Sequence, residues 1–111
     1  MNEPAGADGA SSPQDDRPPN AAPLIRDLEI TNKKGLHARA SAKFVQTVEK
    51  FDAIVKVTRA GETVGGTSIM GLMMLSAGPG TTIHVEATGA EAAEVMAALV
   101  ELITSKFGEE E

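Results

Sequence analysis

The sequence predicts an α+β domain in which a four-stranded, mostly antiparallel sheet carries three helices on one face. Four short segments alternate apolar and polar residues or are rich in β-branched residues, which is typical of strands. Two others repeat apolar residues at helical spacing, and a third is a short apolar segment that follows a suitable N-cap residue. These segments follow one another in the order β-α-β-β-α-β-α, separated by glycine-containing turns, and this order favours a layer of helices on an open sheet.

The first half of the domain contains three predicted strands and one helix. Leu28–Thr31 alternates apolar and polar residues and is followed by the turn-forming Lys33-Lys34-Gly35. Ala38–Lys50 has apolar residues at positions 44, 45 and 48, with another at position 51, which predicts a helix. The β-branched Ile54–Thr58 and the short Glu62–Val64 then predict a hairpin around Ala60-Gly61.

The second half contains two predicted helices around one strand. Thr67 or Ser68 is a suitable N-cap for a short helix through about Leu75. Thr82–Ala87 alternates as a strand, and Ala90–Phe107 carries an apolar stripe that predicts a long final helix.

The charge divides the chain into three parts. Residues 1–23 hold five of the six prolines, carry a net charge of −3 and have no large apolar residue except Met1. We therefore expect a disordered extension at 1–23, a folded domain at 24–108 and an acidic end at 109–111. The folded part has nine acidic and nine basic residues, so it is neutral overall.

Composition excludes several classes of protein. The 111 residues include no cysteine, which excludes a disulfide scaffold, a thiolate metal site and a cysteine nucleophile. No apolar run approaches the roughly 20 residues of a membrane span, and the N-terminal residues lack the basic segment and apolar core that a secretion signal would have. The acidic balance argues against a nucleic-acid binder. We expect a cytoplasmic protein that acts without a metal or other bound cofactor.

His37 is the candidate for chemistry. It stands between Gly35 and the predicted start of the first helix, where free backbone N–H groups and the helix dipole favour an anion such as phosphate. Arg39 adds a guanidinium suited to phosphate oxygens. Basic residues dominate this stretch: Lys33, Lys34, Arg39, Lys43 and Lys50. A neutral imidazole is also a nucleophile. From the residues alone, a purely structural cap remains an equal alternative.

His84 is the other histidine, and its position favours a solvated side chain on the outer face of a strand. No carboxylate or third imidazole stands at ligand spacing beside either histidine, so we expect no metal site.

The short helix has more apolar residues than a small core can accept. We expect Leu72, Leu75 and Met74 to enter the core. Packing in the core is the default for the remaining side chains, and the alternative is an exposed docking patch formed by Ile69, Met70 and Met73.

Two segments resemble a known family. Gly35-Leu36-His37-Ala38-Arg39 is similar to the histidine signature of the bacterial phosphocarrier HPr family, and the segment from Thr67-Ser68-Ile69-Met70 to Gly80 resembles its second signature. The resemblance spans about residues 24–107 and implies an open-faced β-sandwich with the order βαββαβα. The chain departs from the common pattern at Ala40, where proline is frequent, and at Lys34.

The resemblance implies a phosphocarrier of the phosphoenolpyruvate-dependent phosphotransferase system rather than a self-contained enzyme. His37 would accept a phosphoryl group from phospho-enzyme I and pass it to an enzyme IIA domain, with Arg39 steadying the group. Ser68 would be the regulatory site of an HPr kinase/phosphorylase. The partner face would comprise Ala38, Arg39, Ile69, Met70 and Met73, on a monomer.

Two alternatives belong to other functional classes. One is a regulatory binding module that has the fold but transfers no phosphate, and the presence of both His37 and Arg39 favours the carrier over it. The other is a small hydrolase with His37 as general base, which lacks a nucleophile or oxyanion partner nearby.

Overall fold

The computed structural model describes residues 23–109, and in this part of the chain the elements follow the predicted order. The strands are β1 (Leu24–Glu29), β2 (Ile54–Arg59), β3 (Glu62–Gly65) and β4 (Thr82–Thr88). The helices are α1 (Ala38–Glu49), α2 (Ile69–Met74) and α3 (Ala92–Thr104), and a 3-10 turn follows at Lys106–Gly108. The predicted extension at 1–23, except Pro23, and the last two residues lie outside the described residues.

The four strands form one sheet in the order β1-β4-β2-β3, and every neighbouring pair is antiparallel. Alternate residues of the central strand β4 are buried on one face, where the helices pack. The predicted α+β open-faced sandwich is confirmed. The hairpin turn is also as expected, since Ala60 and Gly61 both have the positive φ angles that such a tight turn requires.

The core lies between this face of the sheet and the helices. Phe44 of α1 and Leu99 of α3 are fully buried in the same core cluster as Val57 and Val85, which are opposite each other in the sheet. Burying a side chain of this kind stabilises the fold by about 1.5–3 kcal/mol. The amphipathic pattern of α1 therefore decides both that the segment is helical and which side of it meets the sheet.

The first strand begins four residues earlier than predicted, and it ends at Glu29 rather than Thr31. β1 is an edge strand in which Leu24 and Leu28 are half-buried, while Arg26 between them is exposed. The apolar alternation is therefore missing from its first half. The backbone pairing continues one residue beyond the strand, because the N–H of Ile30 donates a hydrogen bond to Thr81 O at 2.8 Å.

The last helix is shorter than predicted, because it begins at Ala92 and ends at Thr104. The chain then turns through positive φ angles at Lys106 and Phe107. This reversal buries Phe107 in the core, which explains why Phe107 continued the apolar stripe without belonging to the helix. Within residues 23–109, no helix combines the length and the apolar character needed to cross a bilayer.

Candidate functional site

A short loop between β1 and α1 positions His37. Asn32 is fully buried, and its Nδ2 donates to Gly35 O at 2.8 Å, while Gly35 N donates to Asn32 O at 3.1 Å. Gly35 adopts φ of 64°, and the next residue, Leu36, donates its N–H to Ala77 O at 2.9 Å. The loop is therefore fixed at both of its sides before the helix begins.

His37 is the N-cap of α1, as the sequence predicted. Its backbone is extended, and its carbonyl accepts the first helical hydrogen bond from Ser41 N at 2.8 Å. The first N–H groups of the helix, which have no acceptor within it, lie next to the imidazole. The side chain is 27% exposed, so the ring is held by its surroundings and still accessible.

The imidazole contacts a carboxylate that the sequence analysis placed in the acidic end of the chain. Nε2 of His37 lies within hydrogen-bonding distance of Oε2 of Glu109, whose side chain is 14% exposed. The other carboxylate oxygen of Glu109 accepts from Asn32 Nδ2 at 3.1 Å. Asn32 thus links the loop that precedes α1 to the carboxylate that contacts the histidine.

The C-terminal turn brings Glu109 to this position. Lys43 Nζ of α1 donates to Phe107 O at 2.6 Å, which fastens the turn to the helix two residues before Glu109. Neither Glu109 nor Asn32 was predicted from the sequence as a site residue. The only signals were an acidic run that is also typical of a solvated terminus, and an asparagine that is also typical of a turn.

Basic side chains surround the histidine in a pocket of about 640 Å³. Its lining, which we call the cationic pocket, consists of Lys33, Lys34, His37, Ala38, Arg39, Lys43, Gly108 and Glu109. Four of the five basic residues grouped by sequence therefore meet here. Lys50 does not, because it follows the opposite end of α1 and lines a separate depression beside α3. The pocket suits a small, multiply charged anion.

Four of the five large apolar side chains of α2 are exposed. Ile69, Met70 and Met73 are exposed, as the docking-patch alternative predicted. Met74 is also exposed, so its predicted burial is wrong, whereas Leu72 and Leu75 enter the core. Ser76, Ala77 and Gly78 follow α2 in the chain. They line a second depression together with Lys34, Leu36 and His37.

Ser68 is the N-cap of α2, the residue named in the sequence analysis together with Thr67. Its exposed hydroxyl accepts a hydrogen bond from Gly71 N at 2.9 Å. The same side chain is therefore a helix cap and accessible to another protein.

His84 lies on the outer face of the sheet, away from the cationic pocket. Its Nδ1 is 2.8 Å from Asp27 of β1, and its Nε2 is 3.5 Å from Glu86 of its own strand. Sequence spacing missed the cross-strand carboxylate. The two carboxylates are at opposite nitrogens of the ring, and among residues 23–109 no three His, Cys, Asp or Glu side chains converge as metal ligands would.

The fold and the pocket together define a class: a small α+β domain with one part-exposed histidine at a helix N-terminus, in a pocket lined by basic side chains. Residues 25–105 match the family model described as the PTS HPr component phosphorylation site. The chain is 54% identical over 88 residues to the phosphocarrier protein HPr of Neisseria meningitidis serogroup A, covering 79% of this chain and 99% of the relative. With HPr of Cupriavidus necator it shares 51% identity over 88 residues, with the same two coverages.

A solved structure gives the same result. The crystal structure of HPr-C-His from Thermoanaerobacter tengcongensis superimposes with a TM-score of 0.76 and 44% identity, over 79% of this chain and 99% of that chain. The chain therefore belongs to the HPr family of phosphocarriers of the phosphotransferase system.

Proposed function

We propose that this protein carries a phosphoryl group on His37, which it accepts from phospho-enzyme I and passes to an enzyme IIA domain. The observation that carries the proposal is the position of His37: a part-exposed imidazole at a helix N-terminus, inside a pocket lined by four Lys and Arg residues. The protein would act in the cytoplasm as a monomer and a stoichiometric carrier, without a bound cofactor.

Glu109 assigns different roles to the two ring nitrogens. In the neutral imidazole one nitrogen carries the proton and the other a lone pair. The carboxylate at Nε2 favours the tautomer in which Nε2–H donates to Glu109, so the lone pair is on Nδ1. We assign Nδ1 as the nucleophile: its bond to phosphorus forms while the bond between phosphorus and the donor breaks. Glu109 is then a positioning residue.

The cationic pocket supplies what phosphoryl transfer asks of a carrier, namely positioning and charge stabilisation. Arg39 follows His37 by two residues and lines the same pocket, so its guanidinium can donate to phosphoryl oxygens without a change of fold. Lys33, Lys34 and Lys43 strengthen the positive field, and the first N–H groups of α1 add donors.

The partner face joins the cationic pocket to the patch on α2. Ala38 and Arg39 are exposed at the start of α1, and Ile69, Met70 and Met73 are exposed on α2. Because Ser76–Gly78 lie next to His37 and directly follow α2, a partner that reaches the imidazole can cover both regions. The basic pocket favours partners with an acidic surface around their own reactive group.

Ser68 is the proposed site of modification by an HPr kinase/phosphorylase. A phosphate there is compatible with the fold, because negative charge at a helix N-terminus is favourable by about 0.3–1 kcal/mol. It would also place a dianion beside the apolar side chains of Ile69 and Met70, where a docked partner would have to desolvate it. The expected effect of the modification is weaker exchange with enzyme I.

The alternative is a module with the same fold that binds partners without transferring phosphate. Binding alone needs neither an accessible imidazole nor a carboxylate that orients it, and both are present here. These two features favour the carrier.

Intact mass spectrometry tests the proposal directly. With enzyme I and phosphoenolpyruvate, the wild-type protein should gain one phosphoryl group that is lost in acid, as phosphohistidine is. His37→Ala should gain none, while the matched variant His84→Ala should behave as wild type. If His37→Ala gained the acid-labile phosphoryl group and His84→Ala did not, the proposed phosphorylation site would be wrong. A wild-type protein that binds enzyme I without any gain in mass would support the binding module.

A further inference from the structure

The methionines of this chain are concentrated on one short helix. Of the five in the sequence, Met70, Met73 and Met74 belong to the six-residue α2, and their exposed fractions are 71%, 43% and 69%. Met96, in contrast, is 4% exposed in the core. Methionine commonly fills gaps in a core because its thioether side chain is adaptable. Three exposed methionines on one helix do not fill the core, so we expect them to have another physical role.

Helix geometry places the three thioethers on one surface. Residues spaced by three and four positions are neighbours on a helix, and Met70, Met73 and Met74 have these spacings. Leu72 points the opposite way and is buried, so the attachment of α2 to the core does not depend on the three methionines. A chemical change at their sulfur atoms can therefore alter the surface without unfolding the helix.

We propose that Met70, Met73 and Met74 form an oxidation site through which hydrogen peroxide lowers phosphoryl exchange at His37. The sulfur lone pair attacks one peroxide oxygen, the O–O bond breaks, and the products are a methionine sulfoxide and water. Sulfur loses two electrons and peroxide gains them. A thiol-dependent methionine sulfoxide reductase reverses the step, returning the oxygen as water.

The effect on exchange follows from the change in polarity. A sulfoxide is a strong hydrogen-bond acceptor, and burying it against an apolar partner surface without a donor costs free energy. The proposal rests on the proposed function, because the loss matters only if α2 is covered when His37 exchanges its phosphoryl group. For the fully oxidised helix we expect enzyme I to phosphorylate the protein at least about tenfold more slowly, through weaker docking.

The experiment compares the full chain before and after treatment with dilute hydrogen peroxide. Peptide mass mapping locates the added oxygen atoms, thermal unfolding reports the fold, and the initial rate of phosphorylation by enzyme I reports exchange. We expect oxygen on the α2 peptide before Met96, an unchanged melting temperature and the slower rate. Methionine sulfoxide reductase should restore the rate.

Two variants separate α2 from other sites of oxidation. The triple variant Met70→Leu, Met73→Leu, Met74→Leu should show the same rate before and after peroxide, whatever its own starting rate. Met96→Leu, which keeps the core volume, should still lose rate on oxidation.

The outcomes are distinct. A wild type oxidised on α2 that exchanges at its untreated rate would overturn the proposal, as would a triple variant that is equally sensitive to peroxide. Untreated protein that accepts no phosphoryl group from enzyme I would overturn the carrier function, and the oxidation proposal with it.

Discussion

Replacing Gly35 by alanine should both weaken the fold and displace the histidine. Gly35 has φ of 64°, a region that costs a residue with a Cβ about 1–2 kcal/mol. A Cβ at this position would also collide with the carbonyl oxygen of Ala77 and lie 2.8 Å from the Cα of Gly78. Both neighbours are backbone atoms, so neither can rotate away. Overpacking of this kind adds about 1–3 kcal/mol.

Gly61 provides the matched control. It has φ of 83° at the tip of the β2–β3 hairpin, and nothing lies within 4 Å of where its Cβ would be. Gly61→Ala therefore carries the conformational cost alone, about 1–2 kcal/mol. Gly35→Ala should exceed it by the steric part, about 1–3 kcal/mol.

Urea unfolding followed by circular dichroism gives both free energies of unfolding under the same conditions. The clash also pushes apart the two segments joined by the hydrogen bond from Leu36 N to Ala77 O, one residue before His37. Gly35→Ala should therefore accept phosphate from enzyme I more slowly than Gly61→Ala even where both are fully folded. Equal destabilisation of the two variants would show that the contact with Ala77 and Gly78 is relieved at no cost, which would refute the reasoning.

Four further changes separate roles within the site. Arg39→Ala should slow transfer to and from His37 while changing stability by less than about 0.5 kcal/mol, as a surface substitution does, and unchanged rates would remove Arg39 from the site. Glu109→Gln should slow transfer and increase the fraction of His37 protonated at Nδ1, read from ¹⁵N chemical shifts; Glu101→Gln, on the exposed side of α3, should change neither. Ser68→Asp should keep its melting temperature, because aspartate caps a helix as well as serine, but accept phosphate from enzyme I much more slowly; an unfolded variant would show that the neutral hydroxyl is required. Deleting residues 1–23 should change neither melting temperature nor transfer rate, and a clear fall in melting temperature would contradict the predicted disorder.

Glu109 shows how an acidic residue can belong to a basic site. One oxygen of its carboxylate contacts Nε2 of the imidazole, and the other oxygen accepts a hydrogen bond from the buried Asn32. It thereby orients the ring, while Lys33, Lys34, Arg39 and Lys43 outnumber it around the pocket. In the proposed carrier, this arrangement would keep the positive field for an incoming anion and leave Nδ1 as the nucleophile.

The local pattern of the sequence determined the elements and the position of the histidine at the start of a helix. Helix α1 was predicted because its apolar side chains repeat with the helical period, and its start followed from His37, which stands one residue before Ala38. The hairpin followed from Ala60-Gly61, and Ser68 followed from the preference of helices for a hydroxyl at the N-cap. These features depend on interactions between residues close in sequence, so neighbouring residues contain the information.

Tertiary structure alone decided which distant residues meet. Glu109 is 72 positions from His37, and only the reversal of the chain after α3, with Lys43 holding Phe107 O, brings the carboxylate to the ring. Because β1 is an edge strand, its first residues do not alternate between apolar and polar, and its start could not be predicted from the sequence. Met74 is exposed because the core has limited room beneath α2. Each of these outcomes depends on the space and partners supplied by other elements, which no local periodicity records.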